Sequence, residues 1–264
     1  MIKAVAPLAL SAALAACGAT VEPPPPLELR LSATEGAAAM LEQAGTEYHR
    51  AAAHVEVSVT AGSASRSLAR LAAGQAAIAL TAGLPPGSEP FRQTPVARDG
   101  AAIIVHPDNP VRALTLLELQ QLYSGRILNW RQVQGSDAPV QVAVREPGSG
   151  LGAVFEARVM NGTRITPNAR VFPTSRAVVQ FVAQNPQAVG YVGAPLTGDG
   201  VAVVAVEEVL PRQENLTNGA YPLTYDLFAL TPPDAGPDGS DFVNFLLGPA
   251  GQEIVAAHGL GRVR

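Results

Sequence analysis

Cysteine is nearly missing from this sequence. Cys17 is the only one among 264 residues, so no disulfide can form within a single chain. Lysine is as scarce: Lys3 is the sole lysine among 18 basic side chains, and the formal net charge is −4. A nucleic-acid-binding surface needs a basic face, and this balance argues against one. Beyond the first seventeen residues no run is apolar enough to cross a membrane. Metal-binding patterns are missing too. His49, His54, His106 and His258 are scattered, with no i, i+4 pair and no cysteine partner. Neither a five-residue G-x-S-x-G elbow nor the lysine of a nucleotide-binding P-loop occurs. These absences leave no catalytic set, metal or cofactor to expect, and they point to a non-enzymatic protein.

What is present starts with a leader. Lys3 supplies a one-charge n-region, Ala4 to Ala13 a short apolar stretch, and Leu14-Ala15-Ala16-Cys17 fits a bacterial lipobox. Residues 1–16 are therefore expected to be a lipoprotein signal peptide, with Cys17 the lipidated residue. Acyl chains on Cys17 would be the chain's only link to a membrane, placing the protein outside the cytoplasm as an anchored lipoprotein. Residues 17–26 follow as a tether. Pro23 to Pro26 stand in a row and favour the extended polyproline II conformation of a semi-rigid spacer.

The remainder is long enough to bury one large core or two smaller ones. At 47% hydrophobic and 15% charged, with no long charge run, it reads as alternating strands and helices. Leu27–Ser32 and His54–Thr60 alternate like half-buried strands, and Ala76–Thr81 reads as a buried one. Helical stretches lie between them. That order implies a parallel sheet with crossover helices. A second set starts at Ala101, with strands near 101–106, 140–144, 169–172, 188–192 and 201–206. Its helices fall near 115–123, 149–160 and 175–184. A last strand at Leu227–Leu230 precedes two terminal helices. No internal repeat is visible.

Within this pattern, Val96 to Phe155 forms one continuous signature. It runs VARDGAAIIVHPDNP, then LTLLELQQLYSGRILNW, then VQVAVREPGSGLGAVFE. Asp99-Gly100 precedes the first strand, and Asn109-Pro110 and Leu114-Thr115 follow it. Tyr123-Ser124-Gly125 and Asn129-Trp130 come next, before Arg145 and Gly148-Ser149-Gly150 at the start of another helix. A guanidinium and a hydroxyl beside the unpaired N–H groups of a helix start can hold an oxyanion. The whole block resembles the periplasmic phosphate-binding protein family, the solute receptors of phosphate ABC importers. Ala188–Val192 and Tyr221–Thr231 extend the likeness over most of the chain after residue 27.

The resemblance implies an α/β, two-lobed periplasmic-binding-protein fold of type II character, its lobes joined by hinge strands near 96–101 and 220–226. Residues 27–97 and 224–264 would form one lobe and 98–223 the other. It also implies a monomer that captures phosphate or a related tetrahedral oxyanion and delivers it to ABC permease subunits. Alternatives are a receptor for another small anion, a degenerate sensor subunit and, remotely, a secreted hydrolase using Ser149. Carried over residue by residue, the family's ligand contacts fall on Arg145, Ser149 and Gly150 in the second lobe. In the first lobe they fall on Thr34, Ser63 and Thr81. Three positions depart from the family pattern. Leu151 stands where a threonine is usual. Glu35 brings a negative charge beside Thr34 and is expected to point to solvent as a helix-start charge. The family's acceptor aspartate is replaced by Ala82 or Gly83, so poor discrimination of phosphate from sulfate is expected unless Glu35 turns inward.

Overall fold

The computed structural model describes residues 26–263. The leader, Cys17 and all but the last residue of the tether lie outside the described residues. The first strand–helix series runs β1 (Leu27–Thr34), α1 (Glu35–Ala51), β2 (Val55–Gly62), α2 (Ala64–Ala72) and β3 (Ile78–Ala82). Then comes β4 (Arg92–Val105), a long strand. The second series is β5 (Ala113–Leu114), α3 (Leu116–Ser124), β6 (Gln141–Arg145), α4 (Gly150–Phe155), β7 (Arg170–Phe172), α5 (Ser175–Gln184), β8 (Ala188–Gly193) and β9 (Ala202–Val206). A short α6 (Gln213–Thr217), β10 (Thr224–Thr231), α7 (Pro237–Leu247) and α8 (Pro249–Ala257) complete the chain.

The sheet explains the two lobes. β1 pairs in parallel with both β2 and β3, as crossover helices demand. β10 returns antiparallel between β3 and β4. β4 is shared: Arg92 to Gly100 pair with β10, whereas Ala101 to Val105 pair with β8 and β9. Beyond β8, β6 and β7 add in parallel. The result is a two-lobed α/β fold in which β4 and the segment entering β10 pass from one lobe to the other. Packing there is close: a Cβ on Gly100 would lie 2.7 Å from Leu216 and 3.0 Å from the Tyr221 ring. The Tyr221 hydroxyl donates to the Ala101 carbonyl at 2.8 Å, tying the two crossing segments together.

Each lobe carries its own aromatic packing. Tyr48 meets Phe242 edge-on at 5.3 Å where α1 abuts α7. In the other lobe Phe155 stacks on Tyr191 at 4.0 Å and tilts against Tyr123 at 4.5 Å, a favourable offset geometry for buried rings. Trp130, the sole tryptophan, is buried and donates its indole N–H to Gln187 O at 2.9 Å. It is a packing residue of the second lobe. The helix expected at 149–160 divides into α4 and a π-helical turn over Glu156–Met160. Among the described residues no helix is long and apolar enough to cross a membrane.

Candidate functional site

The carboxyl ends of parallel strands are where an α/β sheet collects ligands, and several helices start there. Strand ends lead into α1 through Thr34, into α2 through Ser63, into α4 through Ser149, and into α5 through Thr174. These starts converge on one cavity of about 30 Å³ between the lobes. Its lining includes Thr34, Glu35, Ser63, Asp99, Arg145 and Ser149. Gly150, Leu151, Ser175 and Tyr225 also border it. Helix starts present N–H groups without intrahelical partners and a partial positive charge, so their convergence favours an anion.

The hydroxyls are arranged to donate. Ser149 Oγ accepts from Gly152 N at 3.3 Å and Ser63 Oγ from Arg66 N at 3.4 Å. Each hydroxyl thus accepts from its own helix and keeps its proton for the cavity. Thr34 makes no side-chain capping bond, leaving both functions of its hydroxyl unspent. Five of the six expected ligand positions, Arg145, Ser149, Gly150, Thr34 and Ser63, are brought together here. Thr81 is the correction: it is fully buried outside the lining, and its hydroxyl donates to Gly83 O at 2.8 Å. Residues on a strand alternate between faces, and the cavity lining takes Ala82 instead.

Arg145 ends β6 and is held from several sides. Its Nη1 donates to Ser175 Oγ at 2.6 Å, its Nη2 to Pro173 O at 3.0 Å, and its backbone N–H to the Tyr191 hydroxyl at 3.2 Å. The side chain is only 7% exposed, yet its Nε is buried without a hydrogen-bond partner. A fixed guanidinium with an unused buried donor is prepared for a further acceptor.

Two acids meet the cavity, one against its expected direction and one for which no site role was expected. Glu35 does not face solvent as a free helix-start charge. Its Oε2 lies 3.3 Å from Arg145 Nη1 and accepts from the backbone N–H of Ser175 at 2.8 Å. Another helix start and a guanidinium across the cleft outcompete water for the carboxylate. Asp99 is the residue that sequence reasoning missed. It comes from β4, is almost wholly buried, and lines the cavity from below the first-lobe loops. Its Oδ1 accepts from Gly100 N at 2.6 Å and Ala194 N at 3.0 Å, and its Oδ2 from the Tyr225 hydroxyl at 2.7 Å. Burial pushes the Asp99 carboxyl up to about 6, against the opposing pull of those hydrogen bonds. A Cβ on Gly193 would lie 2.8 Å from Asp99 Oδ2, and one on Gly36 would lie 3.3 Å away. Glycine at both places keeps open the space around that oxygen. The signal was available in the sequence: a lone acid inside the apolar run VARDGAAIIV must be buried and must find partners.

Among the described residues no histidine borders the cavity that Ser149 lines. The histidines are engaged elsewhere: His49 with Val55 O at 2.6 Å, His258 with Gln43 at 2.8 Å, His54 beside Asp238 and His106 beside Asp108. Among the described residues no group of three or more His, Cys, Asp or Glu side chains could hold a metal ion.

Two lobes with helix starts from both around one small polar cavity define a two-lobed binding fold. A family model described as a PBP superfamily domain matches residues 19–250, and the chain belongs to that superfamily. It is 28% identical over 152 residues to phosphate-binding protein PstS of Bacillus subtilis, covering 57% of this chain and 50% of that protein. Against phosphate-binding protein PstS of Pseudomonas aeruginosa it is 29% identical over 189 residues, covering 62% and 58%. The chain thus spans between half and three-fifths of these relatives' length. Among solved structures, it superposes on a phosphate-bound putative phosphate ABC transporter substrate-binding protein from Clostridium perfringens. That match has a TM-score of 0.84 and 27% identity, covering 90% of this chain and all of the other. An ABC-type phosphate transport receptor from Vibrio cholerae matches with a TM-score of 0.74 and 26% identity over 88% of this chain and 99% of that one.

Proposed function

We propose that this chain is an extracytoplasmic solute receptor that captures phosphate, or a similar tetrahedral oxyanion, for an ABC importer. One observation carries this above all: helix starts from both lobes converge with the clamped Arg145 on a single cavity. The resemblance to phosphate-binding relatives supports it. Arg145, Ser149, Gly150, Thr34 and Ser63 are the donors we assign, and the protein's work is binding and closure, with no bond making. In this assignment residues 27–97 and 224–264 form one lobe and 98–223 the other, with the switch of β4 partners at Gly100 and Ala101 as the hinge. Contacts from both lobes are satisfied together only when the lobes close, so ligand shifts the population toward the closed state.

Asp99 supplies what the first-lobe loop lacks. A carboxylate offers about four lone-pair positions, and three donors occupy it, leaving one beside Oδ2. That position can accept the proton of a hydrogen phosphate, which sulfate at neutral pH cannot offer. The deciding experiment is calorimetry of the chain from residue 27 onward with phosphate, sulfate, arsenate and molybdate. A charge-assisted hydrogen bond contributes about 1.5–3 kcal/mol, so Arg145→Ala should weaken phosphate binding at least roughly tenfold. Ser149→Ala should do less, because its backbone remains. Asp99→Asn should narrow the gap between phosphate and sulfate. If Arg145→Ala binds phosphate like wild type, the cavity is not the anion site.

A further inference from the structure

We infer that Glu35 is a tethered competitor for the anion site, a carboxylate that occupies part of it and latches the empty receptor closed. The inference rests on the receptor reading above and concerns the same cavity. Glu35 is the first residue of α1, a helix of 17 residues in one lobe. A carboxylate at such a position is stabilised by its own helix start. Here it instead reaches into the other lobe, where its Oε2 meets the backbone N–H of Ser175 at 2.8 Å and Arg145 Nη1 at 3.3 Å. A helix-start N–H and a guanidinium are the two donor types an oxyanion uses. The glutamate therefore stands where one oxygen of a bound anion would stand.

Further features show that this occupant leaves the site incomplete. Arg145 Nε stays buried and unpartnered in a side chain that is only 7% exposed. The Thr34 hydroxyl, next to Glu35, makes no capping bond. The space left beside Glu35 is about 30 Å³. The carboxylate and the residual space together make up the site. A dianion entering with Glu35 in place would share one guanidinium with a second negative charge, so entry requires Glu35 to leave. Because Glu35 and its partners lie on different lobes, the same contact holds the lobes together until the ligand replaces it.

The test uses Glu35→Ala and Glu35→Gln, with thermal melts confirming that both variants fold. Solution scattering of each without ligand is compared with wild type, and inorganic phosphate is titrated by calorimetry. Glu35→Ala is expected to show a larger radius of gyration than wild type without ligand, and to compact on phosphate. Its phosphate affinity should rise about tenfold, with Glu35→Gln in between. An unchanged ligand-free radius in Glu35→Ala overturns the latch. Phosphate binding no tighter than wild type in that variant, with wild type itself binding, overturns the competitor. If neither wild type nor Glu35→Ala binds phosphate while Glu35→Ala still expands, the latch stands and the phosphate assignment falls.

Discussion

At the level of single side chains, Asp99 is a buried acid under tension. Its carboxyl is raised from 3.8 to about 6 because burial penalises the charged form. The sign follows from linkage: below about pH 4 the group is neutral folded and unfolded, and the fold bears no penalty. As pH rises through 6 the buried carboxyl ionises, and folding loses about 3 kcal/mol, each pKa unit being worth about 1.4 kcal/mol. Asn can keep the bonds from Gly100 and Ala194 on its oxygen and turn its amide toward Tyr225. Ligand-free Asp99→Asn should therefore melt above wild type at pH 8, with the difference shrinking toward pH 4. Melting curves with equal differences at both pH values would mean that Asp99 is not a strained ionised acid. The residue scale is also where the sequence was least legible. Arg145, Ser149 and Thr34 could be placed because the resemblance carries the family's contacts onto them, each at a strand end leading into a helix. Thr81 failed because two adjacent strand residues face opposite ways and only the fold says which. Asp99 and Ser175 escaped notice because they reach the cavity from β4 and α5, far in sequence from the loops that signal a site. Glu35 was seen, but its direction depends on a helix start 140 residues away.

At the scale of elements, the legible features were those with local causes. β1 to β3 and their helices follow from period-two and helical spacing. α3 is fixed by a capping box, with Thr115 and Glu118 exchanging bonds at 3.1 and 2.8 Å and Gly125 ending it at φ 76°. Less legible were the two-residue β5 and the π-helical turn after α4, which have no periodicity to read. The length of β4 was also underestimated, because half of it pairs with a strand that arrives over a hundred residues later. Elements also decide how near the lobes can come. Gly150 opens α4 against β3: an added Cβ would run into the Ala82 carbonyl and lie 3.0 Å from Ala64 Cβ. These are backbone and short side-chain neighbours that cannot swing aside. Gly150→Ala should leave each lobe folded, enlarge the radius of gyration and weaken phosphate binding by roughly tenfold or more, about 1.4 kcal/mol. Calorimetry that finds wild-type affinity in this variant would show that the Gly150–Ala82 approach is not needed for closure.

For the whole molecule, the question is whether function resides in a fixed cavity or in the movement that seals it. Contacts across the cleft around the site include Glu35 to Ser175 and Arg145, Ser65 to the Gly148 carbonyl at 3.3 Å, and the approach of Gly150 to Ala82 and Ala64. Such a seam, unlike a hydrophobic core, can open with modest loss. The near absence of cysteine makes this testable, since Cys17 is the only native thiol and precedes residue 27. A Cβ on Gly148 would stand 3.4 Å from Ser65 Cβ, close to the roughly 3.5–4.5 Å that a disulfide spans. Gly148 has φ 84°, so a cysteine there is strained by about 1–2 kcal/mol, a cost a single bond across the cleft can bear. In Ser65→Cys/Gly148→Cys, oxidation before phosphate is added should exclude the anion, and oxidation afterwards should retain it through dialysis. Reduction should restore exchange in both cases. Phosphate that enters and leaves the oxidised protein as freely as the reduced one would show a site open to solvent at all times, and the hinge would then have no part in capture.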